Sequence, residues 1–70
     1  MTKVGIIGAA GRMGQCLIRC AGRCEDLTVV AALERANHHD IGVDAGNAAG
    51  LHTIGVNITA DMDALSAADV

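Results

Sequence analysis

Gly8, Gly11 and Gly14 stand three residues apart in the run Gly8-Ala9-Ala10-Gly11-Arg12-Met13-Gly14. A turn of this composition, followed by a helix, is suited to holding an anion. The first turn of a helix carries backbone N–H groups without intrahelical acceptors and a partial positive charge. A phosphate is favoured there if the backbone can come close to it. Gly8 permits a tight exit from a preceding strand, Gly11 removes a Cβ that would meet the phosphates, and Gly14 lets the helix lie close to the strand. The spacing G-x-x-G-x-x-G is one residue longer than the common dinucleotide fingerprint G-x-G-x-x-G. A strand before the loop, a helix after it and an acid at the end of the next strand make it a cradle for a dinucleotide pyrophosphate.

Arg12 opens the predicted helix, at the end the dipole makes unfavourable for a cation. A bound anion resolves that conflict, and a guanidinium can give a phosphate paired hydrogen bonds. Glu34 follows Gly14 by 20 positions and closes the second predicted strand. An acid there accepts hydrogen bonds from adenosine ribose hydroxyls. Arg35 comes next and can attract a 2′-phosphate that an acid alone would repel. The pair predicts acceptance of both NADH and NADPH.

Other residue clusters carry less. Cys16, Cys20 and Cys24 fall at helical spacing, and the outer two lie about 12 Å apart along a helix axis, too far to share one metal ion. They share a stripe with Met13, Leu17 and Ala21, so they are expected to be small buried hydrophobes. An odd cysteine count also argues against a disulfide framework. His38 and His39 with Asp40 could form a metal or acid-base cluster, but adjacent loop histidines with no fixed partner read as solvated; because they follow Arg35 closely, a minor role near the adenosine end is the alternative, and His52 has no identifiable partner. Asp61 and Asp63 read as helix-start residues. No metal site is predicted.

The elements that would position this chemistry follow from periodicity. Lys3 to Ile7 is a short apolar run, expected to be a strand buried on both faces as in a parallel sheet. A helix follows from Met13. Leu27 to Leu33 is a second strand. The two strands and the helix make a β-α-β unit, whose right-handed crossover sets the strands parallel. Arg35 to Gly55 is polar, glycine-rich and without period, and is long for a connection in a small domain. Val56 to Thr59 is expected to be a third strand, Asp61 to cap a short helix over 62–67, and Asp69-Val70 to start a fourth strand. The fold class is α/β: the N-terminal part of a Rossmann-like doubly wound parallel sheet, truncated at the fourth strand. An unpaired outer edge on the first strand would then make the isolated segment aggregation-prone or only partly ordered.

The chain has 70 residues, no aromatic residue, no proline and a formal net charge of −3. This length allows one domain with a thin, marginal core. The absence of a basic run and of stacking aromatics argues against nucleic-acid binding. No apolar run is long enough to span a membrane. The N-terminus lacks the features of a signal peptide, so a cytoplasmic location is expected.

Lys3-Val-Gly-Ile-Ile-Gly-Ala-Ala-Gly-Arg-Met-Gly14, Ala31-Ala-Leu-Glu-Arg35 and Ile41-Gly-Val-Asp-Ala-Gly46 together closely resemble the opening of the dihydrodipicolinate reductase family. The resemblance covers essentially the whole chain, with Gly11-Arg12-Met13-Gly14 its most distinctive part. It implies an NAD(P)H-dependent oxidoreductase of diaminopimelate and lysine biosynthesis that reduces a dihydrodipicolinate-type substrate by hydride transfer. It implies that Gly8, Ala9, Ala10, Gly11, Arg12 and Met13 contact the dinucleotide, that Glu34 holds the ribose, and that Arg35 holds the 2′-phosphate of NADPH. It also implies a homo-oligomer for the full-length protein.

The family's catalytic histidine and lysine motif and its dicarboxylate-binding segment have no match here. The 70 residues are therefore expected to be a partial NAD(P)-binding domain without catalytic residues, substrate-binding domain or turnover of its own. Two other readings stand beside this one. The same unit could open another NAD(P)-dependent dehydrogenase, of the homoserine or aspartate type, which downstream sequence would distinguish. It could also belong to a nucleotide-sensing or CoA-binding module without catalysis, against which Glu34 counts.

Overall fold

A computed structural model describes residues 2–69. The element order is β1 (Thr2–Ile7), α1 (Arg12–Gly22), β2 (Leu27–Leu33), α2 (Ala45–Ala48), β3 (Ile58–Thr59) and a 3-10 helix over Met62–Ala67. β2 lies in the middle of a parallel sheet, paired with β1 on one side and β3 on the other. This is the order in which a doubly wound sheet starts. The α/β reading of the sequence and the bounds of β2 both hold.

One face of the sheet carries the main core cluster, and Ala31 and Leu33 of β2 are buried on the other. Ile6 of β1, Ala32 of β2 and Ile58 of β3 pack with Ala9, with Ile18 of α1, and with Ala45 and Ala49 at α2. Ile18 and Ile58 are the largest fully buried side chains, and alanines fill much of the remainder. Small side chains bring the layers close together, which is how a chain without aromatics closes a core at all.

The expectation that β1 is buried on both faces is overturned. Ile6 is buried, but Ile7 is 70% exposed. In a strand, successive residues point to opposite faces. Gly5 and Ile7 point away from Ile6, toward the face that carries the 3-10 helix. That helix covers only part of it: a Cβ on Gly5 would lie 2.7 Å from Leu65 Cδ2, so glycine is what admits Leu65, while Ile7 lies beyond its reach.

The predicted buried stripe of α1 is overturned except at Ala21. The buried residues are Gly14, Ile18 and Ala21. Cys16, Cys20 and Cys24 are all exposed, and Met13 and Leu17 are 76% and 50% exposed. The reason is contact distance. The face that meets the sheet is the one whose small residues allow close approach, and Gly14 sets it.

The segment between β2 and β3 is more ordered than its composition suggests. Asp44 caps α2, and the helix ends on Gly50 with φ of 85°. Leu51 N–H donates to Gly46 O at 2.7 Å and Gly50 N–H to Asn47 O at 3.1 Å, closing the last turn. The third strand is shorter than expected, and Asn57 instead bridges antiparallel to Asp44. Asp61 does cap the helix over 62–67, its side chain accepting from Asp63 N–H at 3.0 Å, but the helix is of the 3-10 type.

The expected fourth strand falls partly on Val70, outside the described residues. Asp69 nevertheless lies along the outer edge of β1. Its N–H donates to Lys3 O at 2.7 Å, and Lys3 N–H donates to its Oδ2 at 3.0 Å. The edge is therefore capped at Lys3 rather than open along its whole length.

Candidate functional site

The glycine turn leaves the C-terminal end of β1 and enters α1. Gly8 has a φ of 75°, a conformation that glycine adopts without strain. Gly8 N–H and Ala9 N–H both donate to Leu33 O at 2.9 Å, and Gly11 N–H donates back to Gly8 O at 3.0 Å. These bonds pin the turn to the end of β2. Ala9 is fully buried. Gly8 and Ala9 thus shape the loop, and their N–H groups are already engaged.

The unengaged donors lie one step further on. Gly11 is the N-cap and offers no side-chain cap, and the first turn of α1 holds no acidic residue. The N–H groups of Arg12, Met13 and Gly14 find no acceptor among the described residues. Arg12 and Met13 are exposed while Gly14 is buried, so the first two donors lie at the surface beside a cation. Such an arrangement is complementary to an anion, and nothing among the described residues fills it.

Gly14 makes this possible. A Cβ on it would lie 2.8 Å from Ala9 Cα and would overlap Gly8 O. The helix N-terminus rests directly on the turn because that Cβ is missing.

Glu34 reaches the same place from the end of β2. Its Oε2 accepts from Ala10 N–H at 3.2 Å and its Oε1 from Arg35 N–H at 3.0 Å. The carboxyl is held below its usual range. The Arg35 N–H bond has the largest effect; partial desolvation opposes it, and the Ala10 N–H bond and the charges of His38 and Arg35 reinforce it. Gln15 Nε2 donates to Ala10 O at 3.1 Å, so Ala10 is tied on both sides. Arg35 is exposed. The residues singled out in the sequence, from Gly8 to Met13 together with Glu34 and Arg35, thus converge at the C-terminal ends of β1 and β2. In open α/β sheets this is where ligands bind.

Two features escaped sequence reasoning. The histidines are not without a fixed partner: Asp40 N–H donates to His38 Nδ1 at 3.0 Å, and the His38 and His39 rings stack with centroids 4.5 Å apart. Asp44 is the second. Its carboxylate accepts from Asn47 N–H and Ile54 N–H at 3.1 Å and from Gly55 N–H at 2.8 Å. Desolvation pushes its pKa up, but these backbone donors outweigh it and hold the group below its ordinary value. The cap pattern Asp44-x-x-Asn47 was the signal available. Gly46 sits under the same loop, where a Cβ would overlap His52 O.

Asp44→Asn is expected to lower the melting temperature by several degrees at neutral pH. A folded-state pKa below the unfolded one gives stability that is present above the ordinary carboxylate range and lost as pH falls through the lowered value. The melting difference between parent and variant should therefore shrink in strong acid. A difference that stays constant down to that range would remove the charge from the explanation.

An apolar cleft of about 230 Å³ opens between Ile18, Ala21, Leu27, Val29 and Ile54. It lies at the far end of α1, opposite the glycine turn. No helix among the described residues is long and apolar enough to cross a membrane.

A parallel sheet with its glycine turn at the C-terminal end of the first strand, and an acid ending the second, defines a nucleotide-binding α/β protein of the Rossmann-like class. Within that class, the chain belongs to the family described as dihydrodipicolinate reductase, N-terminus, which matches residues 2–70. It is 43% identical over 70 residues to the 4-hydroxy-tetrahydrodipicolinate reductase of Alkalilimnicola ehrlichii, covering 99% of this chain and 26% of the relative. It is 48% identical over 65 residues to that of Geobacter sulfurreducens, covering 93% and 24%. To that of Sinorhizobium fredii it is 53% identical over 57 residues, covering 81% and 21%. The chain spans about a quarter of the length of the curated relatives it matches.

Proposed function

We propose that residues 1–70 form part of the NAD(P)-binding domain of a 4-hydroxy-tetrahydrodipicolinate reductase, an oxidoreductase of diaminopimelate and lysine biosynthesis acting on a dihydrodipicolinate-type substrate. The observation that carries this reading is the row of unengaged N–H groups at Arg12, Met13 and Gly14 beside the Glu34 carboxylate. The names of the relatives supply the reaction class. Substrate binding, the proton donor and oligomer contacts belong to parts of a longer protein.

Each residue then has a role. Gly8, Ala9 and Gly11 shape the turn, and Ala10 ties it to Glu34. The N–H groups of residues 12–14 and the Arg12 guanidinium hold the pyrophosphate, with Met13 alongside. Glu34 accepts from the adenosine ribose hydroxyls. Arg35 takes the 2′-phosphate when NADPH replaces NADH. The cofactor, when bound, supplies the hydride; the chain binds and orients it. Reduction of a small biosynthetic intermediate by a soluble dinucleotide fits a cytoplasmic enzyme.

Titration of parent and Arg35→Ala with each cofactor tests this. NADPH binding is expected to weaken about tenfold, the scale of one charge-assisted contact to phosphate, with NADH little changed. Equal weakening of both would make Arg35 a general anchor instead. Absence of binding by the parent chain to either cofactor would remove the reading.

A further inference from the structure

Beyond Glu34 and Arg35, the chain folds back on itself. His38 N–H donates to Arg35 O at 2.9 Å, a turn that returns the histidine to the arginine it follows. The His38 and His39 rings stack there, 4.5 Å apart and 21° from parallel. Asp40 N–H donates to His38 Nδ1, so that nitrogen carries its lone pair and the neutral ring presents its proton on Nε2. His39 Nε2 lies 3.4 Å from Asp40 Oδ1. His39 is therefore the ring whose charged form already has a partner.

Around the stack, Glu34 interacts electrostatically with His38 and Asp40 pairs with His39, while Arg35 is joined to His38 through its backbone carbonyl. β3 (Ile58–Thr59), which runs beside this segment, contributes no titratable side chain. With both rings neutral, one guanidinium faces two carboxylates, a poor balance for an added phosphate. With His39 charged, two cations face two carboxylates, and His38 Nε2–H is a further donor. Metal chelation fits less well. His38, His39 and Asp40 place ligand atoms within 4.8 Å of one another, but His38 Nδ1 already accepts from Asp40 N–H.

We propose that His38 and His39 complete, with Arg35, the subsite for the 2′-phosphate of NADPH, and that they strengthen the preference for NADPH over NADH as pH falls. The proposal rests on the dinucleotide reading above. Histidine is the side chain type whose charge generally changes between about pH 5 and 8, which sets the two pH values compared. The 2′-phosphate has its own second ionisation near pH 6, which opposes the trend. That ionisation belongs to the ligand and is common to every variant, so a comparison of variants cancels it.

The test is titration of the full chain and of the double variant His38→Asn/His39→Asn with NADH and NADPH at pH 6 and pH 8. The ratio of the two dissociation constants is the readout, with melting curves to show that the variant keeps its fold. From pH 8 to pH 6 the parent should gain NADPH preference relative to the variant by about fivefold, the upper range for an exposed ion pair. The same pH dependence in parent and variant overturns the proposal while leaving the dinucleotide site intact. No binding of either cofactor by the parent overturns both.

Discussion

Gly14→Ala is expected to remove a large share of the stability of the fold, and to weaken cofactor binding with it. Two effects compete. Replacing glycine inside a helix gains about 1 kcal/mol in helix propensity. Against that, the new Cβ would overlap Gly8 O and lie 2.8 Å from Ala9 Cα. Both neighbours are backbone, so no rotamer change relieves the clash. Overpacking of this kind costs about 3 kcal/mol, most of the roughly 3–5 kcal/mol that a core of this size supplies. The only relief is for α1 to lift off the turn, which separates the N–H groups of residues 12–14 from the Gly8–Gly11 loop. Gly22→Ala is the control. Its Cβ would lie 3.0 Å from Leu51 Cδ1, a side-chain methyl that can move. Thermal melts should show Gly14→Ala unfolding at least ten degrees below the parent, a shift consistent with a net loss of about 2 kcal/mol in a small domain. Gly22→Ala should stay near the parent. Similar melting of Gly14→Ala and parent would mean that the helix does not rest on the turn.

The contrast between the two glycines shows what was legible in the sequence. Gly8, Gly11 and Gly14 carried the local conformation, because glycine spacing before a helix has few uses. β2 was legible to the residue, since its apolar run ends at Glu34. The orientation of α1 was not. Met13, Cys16, Leu17 and Cys20 form an apolar stripe by residue type, yet the helix turns Gly14, Ile18 and Ala21 to the sheet. Of the three buried residues only Ile18 is large; Gly14 and Ala21 take their place by admitting close approach, which residue type does not register. The same difficulty hid Asp44. Its value lies in three backbone donors that converge on it from residues 47, 54 and 55, and no spacing rule joins residues that far apart in an aperiodic loop. The histidine stack likewise depends on the turn from Arg35 to His38, which composition alone does not specify.

Glu34 holds two positions in one side chain, and substituting it should separate them. With no ligand, its carboxylate fastens Ala10 N–H to the end of β2. In the proposed complex it accepts from the ribose hydroxyls. Glu34→Ala removes both contacts and is expected to weaken NADH binding by about tenfold to a hundredfold, the range for losing hydrogen bonds to a charged group. NADPH should suffer less, since Arg35 still meets the 2′-phosphate and one repelling charge is gone. Glu34→Gln separates the roles. Its amide oxygen can still accept from Ala10 N–H, so the loop stays fastened, but the charge that strengthens the ribose contact is lost. Melting close to the parent with NADH binding reduced toward the level of Glu34→Ala would assign the carboxylate to the ribose. Parent-like NADH binding by Glu34→Gln would assign it to the loop alone. The pH dependence has a definite sign. Because the Arg35 N–H bond and its companions hold the Glu34 pKa below its usual range, the carboxylate stays charged through mildly acid solution. Its contribution to NADH binding should be flat across neutral pH and fall only as pH drops through the lowered value. A decline beginning near neutrality would point to the histidines instead, and Glu34→Gln would retain it.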